Sequence, residues 1–330
     1  MVDPVLEAAL HAAISGGAVG GGLRPPRLVQ ALLHAVFPGG ARVRPRLCLE
    51  VARACGASGE LAHAAASAVE LLHCASLVHD DLPCFDDAAT RRGRPTVHRI
   101  YGAAMAVLVG DGLIVAAFDT LARALVKRPD LGMAPMLVLL RAAGSREGLV
   151  AGQAWELEDD VDLAAYHRGK TASLFEAAAT LGALVAGGSA ASAPSFAAFG
   201  REFGMSYQVA DDVADALADP AALGKPTGRD RALARPSAMQ DIDSAEAAFA
   251  ELDAAATRAA DAIPVGDWEG EAQRELRGFV VAVFGALSAR LRPRPTALAA
   301  QDSEGYPRRS NGQIPDPRRR LPRLREDLPG

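Results

Sequence analysis

Aromatic side chains make up only 5% of this 330-residue chain, and patterns alternating apolar and polar residues over strand length are nearly absent. A β-sandwich or barrel, built from β-branched and aromatic strands, is excluded on those grounds. Cysteine is scarce too: Cys48, Cys55, Cys74 and Cys84 form no CxxC pair and have no histidine at zinc-ligand spacing, so they read as plain thiols of a reducing compartment. No charge of one sign dominates. The net charge of -5 is spread along the chain, which gives no footing for nucleic acid or an anionic membrane. The N-terminus lacks the basic stretch and apolar run of a signal peptide. The longest apolar region, Ala103 to Val126, is interrupted by Asp111 and Asp119 and is expected to be a buried core helix, not a membrane span. A soluble, cytoplasmic protein is the expectation. The glycines of Gly16 to Gly22 follow no strand pattern and lack the Lys-Ser/Thr of a phosphate-binding loop, so they read as a turn.

What is abundant is alanine and leucine: half of all residues are apolar, many of them small, a mixture suited to closely packed helices. The fold class expected is all-α. A short N-terminal helix and Pro26–Phe37 precede helical apolar spacings over roughly 46–55, 60–81, 98–126, 133–154, 171–187, 194–217, 242–262 and 269–291. No solenoid-length repeat is present, and residues 1–291 are expected to form a single helical domain. Residues 292–330 differ. They are rich in Pro and Arg, lose all apolar periodicity and carry the basic run 317–325, so a disordered, solvated tail is expected.

Two acidic clusters stand out. Asp80, Asp81, Asp86 and Asp87 fall within eight residues at the end of an apolar helix pattern broken by Pro83. Such carboxylates repel one another and resist burial, so they need either wide exposure, as a solvated acidic loop, or a cation. Mg²⁺ prefers oxygen ligands and keeps waters that a substrate phosphate can replace. The second cluster, Asp211, Asp212 and Asp215, lies in a run of Val and Ala, with Asp211 and Asp215 one helical turn apart on one face. Together the clusters suggest two walls of one metal-filled pocket. A diphosphate site also needs positive donors, and Arg91, Arg92, Lys170-Thr171 and Gly224-Lys225-Pro226 supply candidates, the last two expected in loops near helix ends.

In this order the strings HDDLPxxDD with RRGxPT, GQxxE, KT, YQxxDD and LGKPxGxD resemble the trans-prenyl diphosphate synthases over roughly residues 25–290. The likeness is greatest to the geranylgeranyl diphosphate synthases of bacterial carotenoid and bacteriochlorophyll pathways. The resemblance implies the all-α isoprenoid synthase bundle, usually a homodimer, with isopentenyl diphosphate and an allylic diphosphate as substrates and three Mg²⁺ per site. It implies Asp80 and Asp86 as metal ligands of the first motif and Asp211 as that of the second, with Asp81, Asp212 and Asp215 in support. Arg91, Lys170, Thr171, Gln208 and Lys225 match positions that hold the allylic diphosphate, and Arg44, His73 and Arg92 match those that hold isopentenyl diphosphate. A lone histidine on an apolar helix is otherwise a core residue. The family's Gly-Gly-Lys-Arg is Gly39-Gly40-Ala41-Arg42 here, so one lysine for isopentenyl diphosphate is missing, with Arg42 and Arg46 as possible substitutes.

Ala75 and Ser76 sit five and four residues before Asp80, where the family places bulky groups to stop chain growth early. Small ones there imply the twenty-carbon geranylgeranyl product, with a farnesyl product as the alternative, and Leu71, Leu72 or a neighbouring helix as the tunnel floor. A terpene cyclase would lack the second Asp-rich motif, and a non-catalytic partner subunit would be expected to have lost one aspartate cluster or the arginines.

Overall fold

The computed structural model describes residues 3–15, 24–187, 193–217, 244–265 and 270–291. The expectations for the Gly16–Gly22 turn, for Lys225 and for residues 292–330 fall outside the described residues, as does the side chain of Asp215.

Helix α1 (Pro4–Ser15) buries Leu6, Leu10 and Ile14, the i, i+4, i+8 row of an amphipathic helix. Helix α2 (Pro26–Val36) starts on a proline, whose fixed φ suits the first helical position. Helices α3 (Val43–Ala54) and α4 (Glu60–Asp80) follow; α4 opens on Glu60, whose charge complements the positive end of the helix, and stops just short of Leu82-Pro83, where the ring cannot continue the ladder. Gly102, at φ 90°, then breaks the single helix expected over 98–126 into α5 (Val97–Tyr101) and α6 (Ala103–Val126). The helix expected over 133–154 is likewise two, α7 (Ala134–Ala143) and α8 (Leu149–Trp155), separated by Gly144-Ser145-Arg146-Glu147-Gly148.

Helix α9 (Leu163–His167) is capped by Asp162, whose carboxylate accepts from the Ala165 amide at 3.0 Å. It runs through a π-helical turn, Arg168–Ala172, directly into α10 (Ser173–Val185), so Lys170-Thr171 lie within a continuous helical path, not in the loop expected for them. Extra-wide turns of this kind aim side chains that regular α geometry would misplace, and they concentrate at functional sites. Helices α11 (Ala193–Leu217), α12 (Ala245–Asp261) and α13 (Glu271–Leu291) complete the described chain. The small antiparallel pair β1 (Thr90–Arg91) and β2 (Arg94–Pro95) turns at Arg92-Gly93, a hairpin too short to leave an alternating pattern.

The helices share one core of Leu, Val, Ala and Phe, with Phe175, Phe199, Phe203 and Phe284 fully enclosed at its centre. Alanine and glycine let backbones meet. Helix α10 is buried at every position but Glu176, and a Cβ on Gly182 would stand 2.5 Å from the Cys48 carbonyl of α3. Among the described residues two helices, α4 and α6, are long and apolar enough to cross a membrane by length and composition alone. Most of α4 is enclosed, but only a third of the corresponding α6 window is, with Val107, Leu108 and Val115 in solvent. The expectation of a buried core helix at Ala103–Val126 therefore holds for one face of it only.

Candidate active site

The inward face of α4 presents Glu70, His73, Leu77 and Asp80 at helical spacing, and these side chains form one wall of a cavity of about 360 Å³. The loop after α4 adds Asp86, the hairpin adds Arg91 and Arg92, and the first turn of α3 adds Arg44. Opposite stand Lys170 and Thr171 of the π-helical turn with Gln208, Asp211 and Asp212 of α11. The acid clusters, more than a hundred residues apart in sequence, thus face the same space.

Asp80 and Asp81 are both buried. The Gln153 amide donates to Asp80 at 2.6 Å, and the Lys170 ammonium lies 3.7 Å away. Even so, burial pushes the Asp80 carboxyl above its usual range, with Glu156 and Asp86 adding repulsion. Asp81 is raised by burial too, although Arg91 donates to it through Nε at 3.0 Å and Nη2 at 2.6 Å. The loop holds Asp86 close, its backbone N–H donating to the Asp80 carbonyl at 2.9 Å. Among the described residues no three acid, histidine or cysteine groups form a ready metal cage. Carboxylates that are buried and repel one another fit a hard cation, whose remaining positions water or phosphate oxygens would fill.

Across the cavity the charges are held by chains of hydrogen bonds. Lys170 and the Tyr166 hydroxyl both donate to Glu156 Oε1 at 2.6 Å. Thr171 donates to the Gln208 carbonyl oxygen, and the Gln208 amide donates to Asp212 at 2.8 Å. The contact between α8 and the π-helical turn is backbone to backbone, since a Cβ on Gly152 would sit 2.0 Å from the Lys170 nitrogen. Only glycine allows Gln153, Glu156 and Lys170 to converge on Asp80 in this way.

The cations expected for isopentenyl diphosphate differ in their partners. Arg44 stacks over the rings of Phe175, at 4.4 Å, and Tyr207, at 6.0 Å, and reaches His73 Nε2 at 3.5 Å. Its guanidinium packs on aromatic faces, with Asp211 and Glu70 acting on it at longer range. Burial, then the neighbouring Arg44, Arg92, Arg91 and Arg42, hold His73 well below the usual 6.5, so its imidazole is neutral. Arg92 lies 3.8 Å from Glu70. Arg42 is not free to replace the missing lysine: its Nη1 donates to Glu70 at 2.6 Å, its Nε to Glu7 at 2.8 Å and its Nη2 to the Val36 carbonyl at 2.9 Å, and its side chain is 1% exposed. Arg46 does not line the cavity, its guanidinium lying 5.2 Å from the Phe279 ring centre. Ala41 leaves that part of the wall with a methyl group.

Ser76 faces the cavity, whereas Ala75 is 1% exposed and packs inside the core with Leu71 and Leu72, none of these three lining the cavity. Burial pushes Cys48 and Cys74 up to about 12 and Cys55 to about 11, which keeps them thiols. Glu70, Glu156 and Tyr207 went unassigned in the sequence reading. Glu70 had left a mark: a lone carboxylate in the apolar run Ala68-Val69-Glu70-Leu71-Leu72 must be paired when buried.

With this geometry in view, comparison with known proteins is informative. Residues 25–257 match the family described as polyprenyl synthetase. The chain is 50% identical over 237 residues to a geranylgeranyl diphosphate synthase of Cereibacter sphaeroides, covering 72% of this chain and 81% of that one. It is 46% identical over 242 residues to one of Rhodobacter capsulatus, covering 73% and 82%. Among solved structures, a geranyltransferase from Helicobacter pylori complexed with magnesium and isoprenyl diphosphate superimposes with a TM-score of 0.69 at 28% identity, over 87% of this chain and 98% of that one. The helical fold is that of the isoprenyl synthases, and the chain belongs to the polyprenyl synthetase family.

Proposed function

We propose that the chain is a cytoplasmic, homodimeric, Mg²⁺-dependent prenyltransferase that condenses isopentenyl diphosphate with an allylic diphosphate and releases diphosphate, giving geranylgeranyl diphosphate. The observation that carries this reading is the shared cavity of Asp80, Asp86 and Asp211, ringed by Arg91, Lys170 and Arg44. Asp80, Asp81 and Asp86 on one side and Asp211, Asp212 and Asp215 on the other would hold the metal. Bound there, magnesium would neutralise the charge that builds on the departing diphosphate.

The chain's own groups account for the rest. Arg91, Lys170, Thr171 and Gln208, with Lys225, hold the allylic diphosphate, and Glu156 and Tyr166 fix the direction of the Lys170 ammonium. Arg44 and Arg92 bind the second diphosphate, with neutral His73 as a hydrogen-bonding neighbour. Leu77 and the apolar helices behind the acids keep water from the allylic cation. No dedicated protein base is required, because the released diphosphate can take the proton lost from C2. Ala75 and Ser76 put no bulk near the first motif, and relatives at 50% and 46% identity carry the geranylgeranyl name. Homodimer formation is supported by the apolar side chains that α6 and α7 leave in solvent, among them Leu108, Val115, Leu137 and Leu140.

The test is product chromatography after incubation with Mg²⁺, isopentenyl diphosphate and farnesyl diphosphate. Geranylgeranyl diphosphate is the expected product. Farnesyl diphosphate accumulating from dimethylallyl diphosphate, with nothing longer, would overturn the length assignment.

A further inference from the structure

On the outer side of the π-helical turn lies a second concavity, of about 460 Å³, enclosed by α7, α8, α9, α10 and α11. Four guanidiniums surround it, Arg141, Arg146, Arg168 and Arg201, against two carboxylates, Glu147 and Glu176. Only Arg201 is matched, donating to Glu176 at 2.9 Å. Arg141, Arg146 and Arg168 make no ion pair or side-chain hydrogen bond among the described residues. In a chain of net charge -5, whose cavity-lining Arg42, Arg91 and Arg92 each have a carboxylate partner, an excess of unmatched arginines around one concavity is a local positive field. The lining between them is apolar: Val138, Ala142, Ala177 and the half-buried Trp155.

Unmatched guanidiniums select phosphate by bidentate, charge-assisted hydrogen bonds, and an indole beside alanines and a valine selects a hydrocarbon. We propose that this groove binds an amphipathic anion, a prenyl chain with a diphosphate head, at a site separate from the cavity that faces Asp80 and Asp211. The identity of the ligand rests on the function proposed above; the charge and shape of the groove do not. With two carboxylates against four guanidiniums, the groove takes the anion without metal. Arg168 opens the π-helical turn that aims Lys170 and Thr171 into the cavity and Ser173 follows it, so an occupant of the groove contacts the back of that turn.

The test is calorimetric titration of the whole protein with geranylgeranyl diphosphate in excess EDTA, beside the variant Arg141→Ala/Arg146→Ala and beside titration with inorganic diphosphate. One metal-independent site per chain is expected, weakened about tenfold or more in the variant, with inorganic diphosphate also binding about tenfold or more weakly. Thermal unfolding of the variant and its Mg²⁺-dependent turnover are expected to match the parent protein. Binding that survives the double substitution, that vanishes in EDTA, or that inorganic diphosphate reproduces at equal strength would overturn the proposal. Turnover with Mg²⁺ reports on the catalytic reading alone, so the two ideas fail separately.

Discussion

The two walls of the cavity keep their charged groups in place by different means. On the α3–α4 side, buried charges meet directly: Arg42 with Glu70 and Glu7, Arg91 with Asp81. On the side of α8, the π-helical turn and α11, polar groups are passed along chains that include Tyr166, Thr171 and Gln208, and the framework is set by glycine backbones in contact. Direct buried pairs cost much desolvation and leave a large penalty when one partner is lost. A wall built on backbone contact fails instead when volume is added. The first wall is therefore sensitive to removal of a charge, and the second to a single methyl group.

The largest effect should come from changes that ignore this difference. Asp80→Ala on one wall and Asp211→Ala on the other are each expected to lower turnover by about 10³-fold or more, with helical circular dichroism unchanged, because both carboxylates face the same diphosphate-sized space. An Asp211→Ala enzyme with parental kcat would show that only the α4 wall holds metal. Next, Arg42→Ala strips Glu70 of its closest cation in a site where Glu70 is 1% exposed. A loss of about 3 kcal/mol or more in urea unfolding is expected. An unchanged midpoint would mean that the buried pair contributes nothing net. On the other wall, Gly152→Ala adds one methyl where the Lys170 nitrogen already stands, and should cost about 2 kcal/mol together with a rise in KM for the allylic substrate. If α8 can shift to accept it, stability and KM will both stay put, and the backbone contact is not what aims Lys170.

How far the sequence disclosed this arrangement depends on the kind of signal each part leaves. Apolar periodicity runs through α3, α4, α10 and α11 because each buries a stripe, and their expected bounds agree with the structure to within about three residues. The division of 133–154 into two helices was missed because Gly144 and Gly148 sit among helix formers, and a turn of ψ to extended values at two residues barely alters the apolar pattern. The π-helical turn leaves no periodic trace, since one inserted residue shifts the register of a short segment only. Of the site, the acid clusters were legible because carboxylates inside apolar runs demand an explanation. Arg42 was misjudged for the opposite reason: which of several arginines is already matched depends on Glu7 and Glu70, from two other helices, and adjacent sequence does not record that. Ala75 was counted from Asp80 along the helix, yet only Ser76 turns toward the cavity.

The smallest effect concerns His73 of the α4 wall, on which burial and the surrounding arginines act together. Burial and the arginines around it keep the folded imidazole neutral well below the usual 6.5, whereas in the unfolded chain it takes up a proton near that pH. As pH falls below about 6.5 the unfolded state gains a proton that the folded state refuses, so His73 lowers stability on the acid side and is without effect above pH 7. Comparing His73→Gln with the parent protein in urea at pH 7 and pH 5.5 isolates this group from the aspartates, which titrate in both. The parent is expected to lose about 1 kcal/mol more than the variant over that interval. Equal losses would mean that His73 accepts a proton in the folded protein, with water or a carboxylate reaching it despite Arg44 and Arg92, and the α4 wall would then be more open than its packing implies.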